Sequence, residues 1–148
     1  MFTNILVPIS GDEITRSELT QASILAKKDN AKLTLVYVSN PLGPYMYSDN
    51  VTGILISEES HRKSCDEFAQ RLFKKAKATL PADQAVEVIH IFHPNIADGV
   101  IDAADQIKAD VILMTSHKRT GLHGFFLRSE AHEVILCSKI PVLVLDEK

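Results

Sequence analysis

The stretch ILMTSHKRTGLHGFFLRSE, residues 112–130, carries the side chains best suited to binding an anion. It begins as an apolar strand, continues as a basic loop and ends in an apolar-periodic helix. A loop between a strand and a helix N-terminus binds phosphate well, because backbone N–H groups and the helix dipole converge there. Yet Thr115, Lys118 and Arg128 lie where a tight phosphate loop favours glycine, which lets the backbone approach the ligand. Lys118, Arg119 and Arg128 could instead hold an anion through their side chains.

Two other groups of side chains have the composition of a metal or catalytic site. His90 and His93 are three residues apart and flank the end of the third predicted strand, where strand alternation places them on opposite faces and disfavours a shared metal ion. We expect both histidines to be exposed. Ser129 and His132 lie about one helical turn apart, but no third member of a Ser–His–acid triad is evident. The sequence therefore predicts no metal site and no catalytic site, and we expect the protein not to be an enzyme.

Composition bounds the class of protein. The 148 residues suffice for one domain with a full core, and they are 45% hydrophobic and 24% charged, as in ordinary globular proteins. A net charge of −3 offers no positive field for nucleic acid or an anionic membrane. Cys65 and Cys137 fall within helical patterns, so we expect both to be buried as small apolar side chains. The N-terminus lacks the pattern of a signal peptide and no apolar run approaches roughly 20 residues, so we predict a cytoplasmic protein.

Hydrophobic periodicity divides the chain into alternating strands and helices. Strands are predicted at 4–9, 32–38, 85–92, 110–115 and 140–146, and helices from Ser10 to about Lys28 and over 58–80, 95–109 and 126–139. Ser10 and Glu13 have the spacing of a capping box, and Ser57 or Ser60 could cap the second helix. Strict alternation requires parallel strands, right-handed crossovers and helices on both faces. The prediction is one doubly wound α/β domain over residues 1–148.

In such a sheet, ligands bind beyond the carboxyl ends of the strands, where the strand order reverses. The loops to consider follow Ile9, Val38 and Met114. The loop after the second strand, residues 39–56, is long for a compact domain, and loops of that length are usually functional or mobile. It could close over the site or over a partner, and a mobile surface loop is the alternative.

Both ends of the chain resemble the universal stress protein family. NILVPISGDE, residues 4–13, is similar to the family's opening, a strand of the type I-L-V-P followed by Asp-Gly-Ser. ADVILMTSHKRTGLHGFFLRSEAHEVILCSKIPVLVL, residues 109–145, resembles its closing third, including the final P-V-L-V strand. The resemblance implies a flavodoxin-like, Rossmann-like fold with strand order 3-2-1-4-5, and dimers formed through the last strand. In many members it also implies ATP bound by a motif G-x2-G-x9-G-S/T.

The resemblance implies a set of nucleotide-site positions, and several of them carry residues that differ from those of the family. The positions are Pro8, Ser10, Val38, Met114, Thr115, Lys118, Arg128 and Ser129. The three motif glycines are replaced by Thr115, Lys118 and Arg128, and only the hydroxyl of Ser129 matches. A non-glycine residue in the left-handed conformation costs on the order of 1–2 kcal/mol, and its side chain also occupies the space of the ligand.

Three further positions bear on nucleotide binding. The acidic residue that contacts the nucleoside in ATP-binding members is replaced by Ser10, whereas Val38 would contact adenine only through its backbone. Glu130, expected in the first turn of the last helix, would repel a triphosphate at that N-terminus. The resemblance with these departures implies a stress-response or interaction module that requires no cofactor and binds no nucleotide tightly. A sensor that binds ATP or another nucleotide is the alternative.

The last predicted strand, IPVLVLD, is short and almost wholly apolar. In the implied strand order it lies at one edge of the sheet, where its N–H and C=O groups are unpaired unless something covers them. A two-fold axis lets such an edge pair with its own copy. We predict a homodimer whose interface contains Pro141, Val142, Leu143, Val144 and Leu145. A protein partner remains a further expectation, whereas nucleic acid and membrane are not expected as partners.

Overall fold

Strands and helices alternate along the chain in the computed structural model, which describes residues 1–10, 16–41, 58–116 and 122–146. Of residues 16–17, 115–116, 122–129 and 146 it describes the backbone only. The strands are β1 (Asn4–Pro8), β2 (Lys32–Ser39), β3 (Val86–Phe92), β4 (Val111–Ser116) and β5 (Val142–Asp146). The helices are α1 (Arg16–Asp29), α2 (Glu58–Thr79), α3 (Ile96–Ile107) and α4 (Leu122–Cys137). Neighbouring strands are parallel in the order β3-β2-β1-β4-β5, which confirms the predicted fold.

Two apolar clusters lie on the two faces of the sheet. On one face, strand residues such as Ile5, Leu35 and Leu113 pack with α1 and α2. On the other, residues such as Leu6 and Ile112 pack with α3 and α4. The two faces alternate along each strand because successive side chains point to opposite sides. Since Ile5, Leu6 and Val7 are all fully buried, β1 needs an apolar residue at each position, as its continuous apolar run predicts.

The two edge strands are less covered than the centre. The residues of β3 are partly exposed along nearly its whole length, whereas the central residues of β1 are fully buried. In β5, Leu143 and Val144 are 40% and 37% exposed, and within the described residues this strand pairs with β4. The apolar sequence of β5 therefore leaves apolar surface outside the core of a single chain.

One predicted helix start and one candidate helix cap need correction. The last helix begins at Leu122 rather than at residue 126, although Gly124 lies inside it at a cost of about 1 kcal/mol relative to alanine. Local propensity is a weak guide to helix boundaries, which explains the late prediction. Ser60 lies inside α2 and does not cap it. Ser57 and residues 11–15, where the first helix was predicted to begin, lie outside the described residues.

Helix α3 has side-chain and backbone caps at its two ends. The Asn95 side chain accepts a hydrogen bond from the Asp98 N–H over 2.9 Å, as an N-cap residue does. At the other end, Lys108 adopts the left-handed conformation with φ of 55°, and Ala109 N–H donates to the Ala104 carbonyl. These caps satisfy backbone groups that a helix end leaves unpaired, and the Asn95 cap fixes the start of α3 just after the carboxyl end of β3.

Candidate functional site

The carboxyl ends of β1, β2 and β4 lie at one edge of the sheet, and the strand order reverses between β1 and β4. A reversal of this kind leaves a crevice beyond the strand ends, because the connections depart to opposite faces. Pro8 ends β1 in register with Val36, and Ile9 N–H donates to the Val36 carbonyl over 2.9 Å. Met114 of β4 is half-buried against the cluster beneath α3 and α4. Pro8 and Met114 thus lie on the two strands between which the order reverses. Ser10 lies just beyond β1 and is half-buried.

At the carboxyl end of β2, the strand is in close contact with α3. Val38 is buried at 8% exposure, and Gly99 of α3 lies directly over it. A Cβ atom added at Gly99 would lie 2.7 Å from Cγ1 of Val38 and 3.2 Å from Cβ of His93. Only a glycine allows this approach. The side chain of Val38 therefore faces the core, which leaves its backbone as the part nearest a ligand.

Thr115 belongs to the end of β4 and not to a loop. It pairs with Leu145 of β5, and Ser116 pairs with Asp146, so the backbone is still extended at the position of the first motif glycine. Among the described residues, positive φ at a non-glycine residue occurs at Asn30 and Lys108, and not at Thr115. An extended backbone accepts a threonine without strain.

The basic part of the predicted anion site lies beyond the described residues. Lys118 and Arg119 fall outside them, and Arg128 and Ser129 lie on α4 with only their backbone described. Their predicted role in holding an anion stays a prediction. Glu130 is the ninth residue of α4, so its predicted place in the first turn is wrong. Burial, and then the charge of Glu133, raise the pKa of the Glu130 carboxyl.

A hydrogen-bonded cluster that the sequence analysis missed lies at the same edge, under the first turns of α2. The hydroxyl of Ser39, at the end of β2, lies 2.7 Å from Nε2 of His90 on β3. The other ring nitrogen, Nδ1, lies 2.7 Å from Oδ1 of Asp66 on α2. Strand alternation could have placed Ser39 and His90 on one face, because their neighbours in β2 and β3 pair in register. The rotation of α2 that brings Asp66 to them has no sequence signal.

The first turns of α2 hold the exits of both strands. The His61 ring donates Nε2–H to the carbonyl oxygen of Asn40 over 2.8 Å. The guanidinium carbon of Arg62 lies 4.7 Å from the centre of the Phe92 ring, a cation–π distance. Together with Asp66, these contacts attach one helix to the ends of β2 and β3. The cluster therefore lies where α2 packs on the ends of the two strands, with Ser39 and His90 buried and Asp66 on its exposed side.

Two expectations about titratable side chains are wrong. The His90 side chain is only 8% exposed, and hydrogen bonds to Ser39 and Asp66 satisfy its two ring nitrogens in this buried position. Cys137 is exposed near the end of α4, and Cys65 is partly exposed, with its sulfur 3.5 Å from Nε2 of His61. The periodicity of the sequence predicts which face of a helix or strand carries a side chain, but not how far that side chain is exposed. Over the described ranges, no group of three His, Cys, Asp or Glu side chains could hold a metal ion.

Comparison with known proteins points to one family. The family model for the Universal stress protein family matches residues 1–146. The universal stress protein YxiE of Bacillus subtilis is 25% identical to this chain over 150 residues, which cover 98% of this chain and 99% of that protein.

Solved structures with the same fold superpose over nearly the whole chain. The structure of hypothetical protein MJ0577 has a TM-score of 0.75 at 22% identity, covering 100% of this chain and 98% of that one. A crystal structure of a universal stress protein in complex with cAMP has a TM-score of 0.65 at 19% identity, covering 99% and 98%. At these identities the likeness shows the fold. In the part of the chain that the structure describes, no helix is long and apolar enough to cross a membrane.

Proposed function

Because the chain belongs to the universal stress protein family, we propose that it acts as a dimeric stress-response and interaction module that binds no nucleotide tightly and is not an enzyme. The observation that carries this proposal is the replacement of three motif glycines by Thr115, Lys118 and Arg128. Each replacement adds a side chain where a backbone would have to approach phosphate. Ser10 removes the acidic contact to the nucleoside as well.

The conformation of β4 supports the same proposal. Because Thr115 continues the strand and pairs with Leu145, a tight turn around phosphate would have to begin after it. Such a turn would have Lys118 at its next glycine position, where a left-handed conformation would cost on the order of 1–2 kcal/mol. The charge of Lys118, Arg119 and Arg128 favours an anion held by side chains, which is a looser arrangement than a backbone cradle.

Titration calorimetry with Mg-ATP tests the proposal. We expect no binding in the low micromolar range, which corresponds to about −8 kcal/mol. The triple variant Thr115→Gly, Lys118→Gly, Arg128→Gly should bind more tightly than the natural chain if these residues are the obstruction. Low-micromolar binding by the natural chain would contradict the proposal.

A nucleotide-binding sensor is the second candidate. It is favoured by the solved universal stress protein that was crystallised in complex with cAMP, since that protein shares the fold of this chain. Titration with cAMP beside Mg-ATP separates the two candidates. Tight binding of cAMP with weak binding of ATP would indicate a sensor for a small monophosphate, in which the basic side chains take the place of the glycines.

The dimer proposal rests on the exposed apolar surface around β5. Leu143 and Val144 are exposed at this edge, and Ile135 and Leu136 of α4 are 48% and 69% exposed. Pro141 is exposed ahead of the strand, while Val142 and Leu145 pack partly against the two core clusters. Pairing with a second copy would bury this surface and satisfy the backbone groups of the edge. Light scattering at micromolar concentration should give twice the mass of the 16.4 kDa chain.

We further propose the cytoplasm as the compartment and a protein, rather than nucleic acid, as any additional partner. The net charge of −3 supports a protein partner rather than nucleic acid, because association with nucleic acid depends largely on positive charge. Retention of the purified protein on heparin at physiological salt would contradict this preference for a protein partner.

A further inference from the structure

The cluster of Ser39, His90 and Asp66 has a definite direction of hydrogen bonding. A carboxylate only accepts hydrogen bonds, so Nδ1 of His90 carries the hydrogen that lies between it and Asp66. The neutral imidazole then has its lone pair on Nε2. Nε2 lies 2.7 Å from the Ser39 oxygen and accepts the hydroxyl hydrogen. The serine hydroxyl is thus polarised by a base whose ring orientation is set by a carboxylate.

We infer that Ser39 is an activated nucleophile, a covalent modification site that accepts the acyl group of a small activated ester. A serine, a base within hydrogen-bond distance and a third group that orients the base are the features by which such nucleophiles are recognised, on any fold. Ser39 supplies the attacking oxygen, His90 the base, and Asp66 is a positioning residue. The inference goes beyond the proposed function and does not depend on nucleotide binding.

The chemical step uses only the ester and these side chains. The Ser39 oxygen forms a bond to the carbonyl carbon while its proton moves to Nε2 of His90. The bond between that carbon and the alcohol oxygen then breaks, and the departing alkoxide takes the proton from Nε2. The products are an ester on Ser39, a free alcohol and a neutral His90, so no oxidant, reductant or metal is required.

Burial limits the size of the reagent. Ser39 is 6% exposed and the His90 side chain 8% exposed, so only a small electrophile can reach the oxygen. A site that admits such an ester also admits water, so the acyl adduct can be hydrolysed. A reagent whose adduct resists hydrolysis therefore gives the clearer test.

Ser23 provides a matched control within the same chain. It is 3% exposed, and its hydroxyl donates to Oε1 of Gln84 over 3.0 Å. Both serines are buried and hydrogen-bonded to a side chain, but an amide oxygen is not a base that can remove the proton. If burial alone made a serine reactive, Ser23 would react as well as Ser39.

The test is labelling of the full-length protein with a short-chain alkyl fluorophosphonate, followed by intact-mass and peptide-mass analysis. The phosphorus takes the place of the carbonyl carbon and fluoride takes the place of the alcohol. We expect one phosphonyl group per chain, located on Ser39. Ser39→Ala should abolish it, and Ser23→Ala should label as the natural chain does. No label on Ser39, or equal labelling of Ser23, would overturn the inference.

Variants of Asp66 test the role of the relay with the nucleophile intact. Asp66 lies on the outside of α2 with its side chain 59% exposed, so its replacement should leave the melting temperature nearly unchanged. Asp66→Asn should slow labelling by at least about tenfold, because an amide can hold the wrong tautomer of His90. Asp66→Glu keeps the carboxylate and should label faster than Asp66→Asn. Equal rates in these two variants would show that the carboxylate does not orient the base, and the inference would fail.

Discussion

At the scale of single residues, the Asp110 carboxylate joins the start of β1 to the start of β4. It accepts hydrogen bonds from Thr3 N–H at 2.7 Å, the Thr3 hydroxyl at 2.9 Å and Asn4 N–H at 3.0 Å. Burial acts to raise the pKa of this carboxyl, but the hydrogen bonds from Thr3 and Asn4 outweigh it and lower the pKa below its usual range. The charged form is therefore the one that the fold stabilises.

We predict that Asp110→Ala lowers the free energy of unfolding by about 1.5 kcal/mol at neutral pH. The substitution removes a charged acceptor, so the two donors of Thr3 and the N–H of Asn4 lose their hydrogen-bond partner. Since the folded pKa is the lower one, the contribution is present above the unfolded pKa of roughly 3.9 and is lost as pH falls through the folded pKa. Urea unfolding at neutral and acid pH measures both effects. Asp83→Ala, which removes an exposed pair with Lys27, should cost clearly less than Asp110→Ala, because exposed ion pairs are screened by solvent. Equal losses in the two variants would contradict the assignment.

At the scale of elements, the packing of α3 on β2 depends on Gly99. An alanine inside a helix is normally more stable than glycine by about 1 kcal/mol. Here the added Cβ would lie 2.7 Å and 3.0 Å from the two methyl carbons of Val38. We predict that Gly99→Ala destabilises the protein by about 1–2 kcal/mol, since overpacking outweighs helix propensity. Thermal or urea unfolding measures the change.

A double-mutant cycle checks the cause. In the background of Val38→Ala the obstructing methyl groups are absent, so Gly99→Ala should cost less, by at least about 0.5 kcal/mol, than in the natural chain. Additive losses would show that the contact between Gly99 and Val38 is not what requires the glycine.

At the scale of the whole molecule, we predict that the dimer is dissociated by one charge at the exposed part of β5. Val144→Lys or Leu143→Lys places a charge on the surface that pairing would bury, which is costly, and both side chains are exposed in a single chain. Light scattering should give the mass of one chain, with unchanged circular dichroism. Val142→Lys is a poorer test, because Val142 packs against the core and its replacement also threatens the fold.

Ile24→Lys is the matched control for this prediction. Ile24 is also exposed, at 55%, but it lies on α1 in a groove that is also lined by Thr79, the last residue of α2, and by Leu80. The Ile24→Lys variant should leave the mass of the dimer unchanged. A dimer that survives both β5 variants would place the interface elsewhere on the molecule.

The sequence by itself determined the α/β class and the strand positions. These follow from local patterns, because burial on both faces requires continuous apolar runs such as 4–9 and because alternation forces parallel pairing. The strand order came from the family resemblance, and the sheet confirms it. The start of α4 was missed since Gly124 argues locally against a helix at that position.

Only the tertiary structure decided which polar side chains meet. Periodicity reports the apolar face of an element, but not how far a helix is rotated or shifted over the sheet. Those quantities arise from all packing contacts together, and they bring Asp66 to His90 and Ser39 from three separate elements. The same contacts bury His90, which the strand pattern alone predicted to be exposed, and leave Cys137 exposed on a helix whose apolar pattern predicted its burial.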